Sequence, residues 1–460
     1  MAACLWAASA VAVLPKWAGA QRTVLEKIMQ RRVLANGLEV IVVENHGVPI
    51  ATVEIDVKNG AFTQTPEYAG LAHMYEHMFF KANSQYPEPD AFIQRASAEL
   101  GATYNGETQE ERVNYYLTLP ADSLEGGMRL VATALREPLF RQDELERERE
   151  VVLGEYDRHE SNPGFELQNE MKKRLYPGHF SRKNTIGDRD VIRTVTPEKM
   201  REIQRRYYVP NNCALIVTGD VQPARVFALA EAIYSDWRRG ADPFVADPIP
   251  PIPALTKNEA VVTEAPVSAV SVLVQWQGPS VRQDPAATYA ADVFSDALNT
   301  PGSKFQHRLV DSGLWQGVVV NYYTLNQKGP ITISGQTSPE KLREALAALE
   351  AEIEKLDDPG YFTAAELEDV KSQRAVETAF GIERTSGLTH TIGFWWAVAD
   401  VDYFMGYVDN MAEQTPEDLR RYAARYIVAK PRVTGVLLAP QARQALGLSE
   451  QELAGVKGAM

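Results

Sequence analysis

The segment Gly70-Leu-Ala-His73-Met-Tyr-Glu76-His77-Met-Phe-Phe-Lys81 contains two interleaved patterns from which the rest of the chain can be interpreted. Its apolar residues recur every three or four positions, which predicts a helix over residues 66–81 with one face in a hydrophobic core. The two histidines and the glutamate follow the same spacing, displaced by two residues. Because two residues turn a helix by about 200°, we expect His73, Glu76 and His77 to share a face away from the core. The predicted core stripe is Leu71, Met74, Tyr75, Met78 and Phe79.

This polar face has the composition of a catalytic metal site. His73 and His77 lie one helical turn apart, so both imidazoles can reach one metal ion. Two imidazoles and one carboxylate suit Zn²⁺ and leave a fourth position open for water. Zinc lowers the pKa of such a water and polarises a carbonyl, and Glu76 beside the ligands can act as the general base. The motif therefore predicts a zinc-dependent hydrolase.

A third protein ligand is expected in the acidic segment of residues 143–158. Most charges of this segment are typical of a solvated helix face. Glu148 and Glu155 differ, because a spacing of seven residues places them two turns apart on one face. A carboxylate on an apolar face needs a partner, so one would bind zinc and the other would hydrogen-bond a ligand. The spacing alone allows either assignment.

The chain also contains an internal repeat. Thr196-Pro-Glu and Thr415-Pro-Glu each begin a predicted helix, with Thr as N-cap and Pro in the first turn. The same offset, 219 residues from Thr196 to Thr415, aligns residues 51–57 with 270–276 and residues 66–81 with 285–300. Three matched segments predict an α+β protein of two homologous α/β-sandwich domains, each with a mixed, largely antiparallel sheet.

The two copies differ in their metal residues. At the repeat offset, the second copy has aspartate or serine in place of the motif residues, so one zinc per chain is expected. The prolines of residues 241–258 predict an extended linker between the copies. We therefore expect a zinc-bearing catalytic domain over residues 21–240 and a homologous domain without metal ligands over residues 259–460. The replacements are Asp292, Ser295 and Asp296.

Residues 1–20 predict a secretory signal peptide. They combine an apolar stretch too short to span a membrane with Ala18-Gly19-Ala20, a small-x-small cleavage pattern. The basic residues that usually precede such a stretch are absent, and a buried N-terminal helix is the alternative. The expected location is periplasmic or secreted. No other stretch of the sequence is long and apolar enough to predict a membrane span.

Charge and cysteine content exclude further classes of protein. The chain has 61 acidic and 47 basic residues and a net charge of −14, which argues against nucleic-acid binding. Cys4 and Cys213 cannot form a cysteine-based zinc site. Cys213 stands in an apolar run and is expected in the core. A structural zinc module is disfavoured, because such sites are closed and usually rich in cysteine.

His73-x-x-Glu76-His77, followed by Glu148 and Glu155, resembles the pitrilysin/insulinase family of inverted-motif zinc peptidases, and specifically its two-domain members. The resemblance implies that Glu155 is the zinc ligand, Glu148 a supporting carboxylate and Glu76 the general base. It covers nearly the whole chain beyond residue 20. The other matching segments are Gly101-Ala-Thr-Tyr-Asn105, Asn114-Tyr-Tyr-Leu-Thr-Leu-Pro120 and Thr185-Ile-Gly-Asp188.

The resemblance also implies a substrate and an assembly. It implies an endopeptidase that cleaves unstructured peptides or protein precursors inside a dimeric chamber, as a homodimer or as a heterodimer with a related subunit. Asn105 would lie by an edge strand that pairs with the extended substrate. Active members bind the substrate carbonyl through an Arg and a Tyr that lie about seven residues apart. Arg308 matches the Arg, but the residue seven positions later is Trp315 instead of Tyr.

Two alternatives follow from this departure. In the first, the chain is a zinc-bearing subunit that is inactive alone and needs a partner subunit to supply the Arg/Tyr pair. In the second, the chain is a non-catalytic scaffold, which predicts broken metal residues. All four residues of the site are present, which disfavours the scaffold.

Overall fold

The computed structural model describes residues 20–383 and 385–455. The predicted signal peptide lies outside the described residues except for Ala20, which begins the first helix. The described chain contains two β-sheets with helices packed against them, which confirms the predicted α+β class. None of its helices is long and apolar enough to span a membrane.

The first sheet has six strands. They are β1 (Met29–Val33), β2 (Glu39–Glu44), β3 (Ile50–Val57), β4 (Thr103–Thr108), β5 (Val113–Pro120) and β6 (Cys213–Gly219). Their order in space is β1-β2-β6-β3-β5-β4, so β4 lies at an edge. All neighbours are antiparallel except β2 and β6, which run parallel.

The second sheet repeats this topology without the first strand. Its strands are β7 (Glu259–Glu264), β8 (Val270–Gln277), β9 (Gly317–Tyr322), β10 (Pro330–Thr337) and β11 (Val433–Leu438). Their order is β7-β11-β8-β10-β9, and β7 and β11 form the parallel pair. Since each strand has a counterpart in the first sheet, the predicted sequence repeat is also a structural repeat.

The helices divide between the two halves. The first half contains α1 (Ala20–Ile28), α2 (Leu71–Phe79), α3 (Ala91–Ile93), α4 (Leu124–Arg136), α5 (Gln142–Glu160), α6 (Phe165–Leu175), α7 (Arg189–Arg193), α8 (Pro197–Tyr207), α9 (Pro223–Tyr234) and α10 (Pro243–Ala246). The second half contains α11 (Pro285–Asn299), α12 (Lys304–Gln306), α13 (Leu342–Ile353), α14 (Ala364–Glu383), α15 (Thr385–Val398), α16 (Val401–Met405), α17 (Tyr407–Ala412), α18 (Pro416–Tyr426), α19 (Pro440–Leu446) and α20 (Glu450–Ala454).

The proline-rich segment is not wholly extended, because it begins with the short helix α10. Pro243 occupies the first turn of that helix, where its missing N–H costs no hydrogen bond. Beyond Asp247, the segment continues without regular structure as far as β7.

Each half contributes one helix that packs on the sheet of the other half. Helix α15 of the second half packs on β3 and β6 of the first sheet, where Leu388 and Ile392 join a core with Ile41 and Ile216. Helix α6 of the first half packs on β7 and β11 of the second sheet. Each sheet is therefore covered on one face by its own helices and on the other by a helix of the opposite half.

Helix α2 begins later than the sequence pattern predicts. Residues 66–68 form a single 3₁₀ turn, and Gly70 with φ 93° interrupts the backbone before Leu71. The left-handed region is accessible to glycine at little cost. All five residues of the predicted apolar stripe are buried, so the predicted core face is confirmed.

The start of α2 is held by the segment around Gly187. Gly187 has φ 88°, and a Cβ there would lie 2.2 Å from Cα of Gly70. The side-chain oxygen of Gln64 accepts hydrogen bonds from the backbone N–H groups of Gly70 and Ala72. These contacts satisfy backbone donors that a helix start leaves unpaired and fix the helix that contains the predicted metal residues.

We predict that Gly187→Ala lowers the free energy of unfolding by about 3 kcal/mol or more, because the new methyl group meets backbone atoms and φ is positive. Gly178→Ala is the matched control, because Gly178 has φ 73° but open space around it. Its expected loss is about 1 kcal/mol. Urea unfolding measures both, and equal losses would contradict the proposed close contact.

Candidate metal centre

Three predicted ligands converge between helices α2 and α5. The Nε2 atoms of His73 and His77 lie 3.3 Å apart, and each lies 3.5 Å from Oε2 of Glu155. Among the described residues, these three form the one group of His, Cys, Asp or Glu side chains that could hold a metal ion. The geometry therefore favours Glu155, rather than Glu148, as the third ligand.

The triangle has the dimensions of a zinc site. Ligand atoms at about 2.1 Å from a tetrahedral Zn²⁺ lie about 3.4 Å from one another. The side chains are largely buried, with His73 16%, His77 15% and Glu155 30% exposed. Two nitrogen donors and one carboxylate oxygen are also a donor set that zinc prefers. The residues present therefore fit a zinc ion with one position left open.

Glu148 orients His77. Its Oε2 lies 3.1 Å from Nδ1 of His77, and its Oε1 lies 2.5 Å from Nζ of Lys81. Burial favours the neutral acid, but the contacts with His77 and Lys81 outweigh it and lower the pKa of Glu148. An ionised Glu148 accepts a hydrogen bond from a protonated Nδ1 of His77, so Nε2 of His77 presents its lone pair to the triangle.

His73 is held in the neutral form that a metal ligand needs. Burial, together with the positive charge of His77, lowers the pKa of His73 to about 3. For His77, burial opposes protonation, but the hydrogen bond with Glu148 and the charge of Glu155 raise its pKa. Nδ1 of His73 is buried and has no hydrogen-bond partner in the described chain.

Glu76 lies beside the triangle and outside it. Its Oε2 accepts a hydrogen bond of 2.7 Å from the hydroxyl of Thr108 on β4. Burial raises the pKa of Glu76, and the Thr108 hydrogen bond opposes this shift. Gly106 makes room for the carboxylate, since a Cβ there would lie 2.8 Å from Cγ of Glu76. A carboxylate in this position can exchange a proton with a group at the metal.

The structure places Asn105 on β4, an edge strand of the first sheet. Asn105 is exposed on β4, and β5 is the one strand that pairs with β4 among the described residues. The backbone groups on the other side of β4 can therefore pair with an extended chain. This edge belongs to the same strand as Gly106 and Thr108, which contact Glu76.

The second half has replaced the metal site by an ion pair. Arg374, which stands 219 residues after Glu155, forms two hydrogen bonds of 2.7 and 2.6 Å with Asp296. Asp292 accepts a hydrogen bond of 2.6 Å from the hydroxyl of Tyr407, and burial raises the pKa of Asp292 to about 6. The guanidinium thus supplies a positive charge at the position where a metal ion would supply it in the first half.

Arg308 and Trp315 are both engaged within the second half. Arg308 is half-exposed and forms hydrogen bonds of 3.0 and 2.9 Å with the buried carboxylate of Glu352. Trp315 is 2% exposed and donates its indole N–H to the carbonyl of Ala345. Trp315 therefore packs in the core of the second half and does not present its donor to a ligand.

Two family models match this chain in succession. Residues 39–187 match the insulinase domain of peptidase family M16, and residues 194–374 match the domain described as the peptidase M16 inactive domain. The chain belongs to the pitrilysin/insulinase family. The first match contains the motif residues of α2 together with Glu148 and Glu155, and the second ends at Arg374.

Relatives and solved structures agree with this family. The chain is 26% identical over 412 residues to zinc protease PqqE of Helicobacter pylori. This alignment covers 85% of this chain and 89% of the relative. A protease structure from Helicobacter pylori matches with a TM-score of 0.80, 22% identity and coverage of 89% and 99%. The first half of the periplasmic protease PqqL from Escherichia coli matches with a TM-score of 0.75, 19% identity and coverage of 94% and 98%. The two structural matches support the fold.

Sequence reasoning missed three residues that contact Glu148 or Glu76. Lys81 lies just after α2, and Gly106 and Thr108 closely follow Asn105. No periodicity in the sequence indicates that these three residues are partners of the site. Their roles depend on how α2 packs against α5 and β4, which the local sequence does not determine.

We predict that Glu148→Ala weakens zinc binding by about 10- to 100-fold, because His77 loses the partner that sets its tautomer and orientation. Glu150→Ala, an exposed change on the same helix, should leave zinc affinity unchanged. Competition with a zinc-binding dye measures both affinities. Equal zinc affinity of the two variants would show that Glu148 does not support the site.

Proposed function

We propose that this chain is a zinc endopeptidase that hydrolyses unstructured peptides or protein precursors. The observation that supports it most strongly is the convergence of His73, His77 and Glu155, with Glu76 next to His77 on α2. Structural zinc sites are closed and need no adjacent base. A position open beside a buried carboxylate is typical of a hydrolytic metal site.

The residues of the chain divide the chemistry among them. His73, His77 and Glu155 would hold Zn²⁺, which when bound polarises the scissile carbonyl and makes water acidic. Glu76 takes a proton from the attacking water and gives it to the leaving amine. Burial raises the pKa of Glu76, which makes this carboxylate a stronger base for the first transfer and keeps it able to release the proton in the second.

Substrate selection follows from the edge strand. An extended peptide that pairs with β4 would lie beside Glu76, because Gly106 and Thr108 of that strand contact Glu76. Main-chain pairing makes little demand on sequence but requires an extended segment. Folded proteins rarely offer one, so unstructured chains are the proposed substrates, and Asn105 is a proposed contact.

The proposed assembly and location rest on the family. Two M16 domains would form half of a closed chamber, so a homodimer or a heterodimer with a related subunit is proposed. A structural relative is described as periplasmic, and the sequence of residues 1–20 is typical of a signal peptide. We therefore propose a periplasmic or secreted location.

The environment of Trp315 supports one alternative function. Its indole N–H is donated to Ala345, so Trp315 offers no donor to a substrate carbonyl, and Arg308 is held by Glu352. In this alternative, the chain is a zinc-bearing subunit that needs a partner to supply the Arg/Tyr pair. Addition of the partner would then restore activity to an inactive but zinc-loaded chain.

We predict that Glu76→Gln lowers the rate of peptide hydrolysis by about 10²- to 10⁴-fold, because the general base is lost. Zinc content should remain that of the wild type, since Gln keeps the shape of the side chain and Glu76 is not in the triangle. Hydrolysis of a mixed pool of unstructured peptides by the zinc-loaded chain, followed by mass spectrometry, measures the effect.

The control is Glu150→Gln, which changes an exposed carboxylate and should retain full activity. Undiminished hydrolysis by Glu76→Gln would overturn the role of Glu76. A wild-type chain that binds zinc but cleaves no peptide would favour the two-subunit alternative.

A further inference from the structure

Helix α15 places His390 on the face of the first sheet opposite to α2. The imidazole of His390 packs against the ring of Tyr116 on β5, with 4.3 Å between the ring centroids. Tyr116 is the cross-strand partner of Asn105, so the two side chains lie next to each other on one face of the sheet. A series of neighbouring side chains therefore joins a helix of the second half to the exposed edge strand of the first.

His390 is itself held in a fixed position. Its Nδ1 bonds the carboxylate of Glu54, which is fully buried in β3. The carbonyl of His390 accepts a hydrogen bond of 2.7 Å from Arg112. At Gly393, one turn further on, a Cβ would lie 2.4 Å from the buried carboxylate of Asp56. The backbone of α15 therefore lies directly on the sheet, and the ring of His390 has little freedom to move.

A second contact reaches the same strand. Arg112, which is 2% exposed, lies 3.4 Å from Asp56 and 3.3 Å from Glu107 on β4. Asn105 and Glu107 are two residues apart, so they project from the same face of β4. Asn105 and Glu107 thus each lie next to a residue that contacts α15, which is Tyr116 for Asn105 and Arg112 for Glu107.

We propose that His390 is a positioning residue for substrate, which acts through Tyr116 to hold Asn105 in the orientation that receives an extended peptide. An edge strand has a neighbour on one side only, so its side chains lose conformational freedom when a peptide binds. Contacts that restrain Asn105 beforehand reduce this loss. The inference rests on the proposed function, and it gives the half without a metal site a role in substrate affinity.

The test uses His390→Asn in the zinc-loaded full chain. The amide nitrogen of Asn can replace Nδ1 as a donor to Glu54, whereas the ring against Tyr116 is lost. Binding of an unstructured, uncharged, fluorescein-labelled peptide is measured by anisotropy in the Glu76→Gln background, which prevents cleavage. Thr391→Ala, an exposed change at the next position of α15, is the matched control.

We expect His390→Asn to weaken peptide binding about fivefold, with unchanged zinc content and melting temperature. In an Asn105→Ala background, the same substitution should not weaken peptide binding further, because the side chain through which His390 acts on the peptide is absent. In the hydrolysing chain, KM should rise while kcat stays constant. Thr391→Ala should bind peptide as the parent does.

Three results would overturn the inference: unchanged binding by His390→Asn, an equal loss with and without Asn105, or a loss accompanied by lower zinc content or melting temperature. The last would mean that His390 is merely structural. Peptide binding without cleavage in the wild type would overturn the proposed peptidase function and leave the positioning role supported by the binding data. A wild-type chain that neither binds nor cleaves the peptide would overturn both.

Discussion

The packing of α2 against α5 brings two imidazole nitrogens and a carboxylate oxygen within 3.5 Å of one another. Lone pairs and a negative charge at this distance repel one another unless a cation lies between them. The surrounding structure is arranged around this constraint. Glu148 directs the lone pair of His77 inward, and the contact between Gly70 and Gly187 fixes where α2 begins.

The two halves show two solutions to the same constraint. Both place polar side chains at corresponding positions of a buried helix, and both need a positive charge beside them. In the first half the residues suit a metal ion, whereas in the second Arg374 provides a fixed guanidinium to Asp296. A metal leaves a position open for chemistry, but a guanidinium bonded twice to a carboxylate does not. This difference explains how one fold can suit a metal ion in one copy and a fixed ion pair in the other.

Much of the fold could be predicted, because it depends on local patterns. The apolar stripe of α2, the N-caps at Thr196 and Thr415, and the repeat offset are all visible in the sequence. The ligand histidines follow from helical spacing alone. Glu155 was assigned from the family resemblance, and the structure places it in the triangle while Glu148 lies behind His77.

What could not be predicted depends on tertiary contacts. The helix start at Leu71 is set by Gln64 and the Gly187 segment, which are distant in sequence or lack helical periodicity. Helices α6 and α15 each pack on the sheet of the opposite half. Their sequences do not indicate which sheet they cover. The link from His390 through Tyr116 to Asn105 depends on the packing of α15 on the first sheet, so no pattern in either segment could indicate it.

The most direct test of the account is the zinc content of the purified chain, measured by plasma mass spectrometry for wild type, Glu155→Ala and Asp296→Asn. One zinc per chain in the wild type and in Asp296→Asn, with zinc lost in Glu155→Ala, is the expected result. Zinc retained in Glu155→Ala, or lost in Asp296→Asn, would show that the metal is not held by the triangle of the first half.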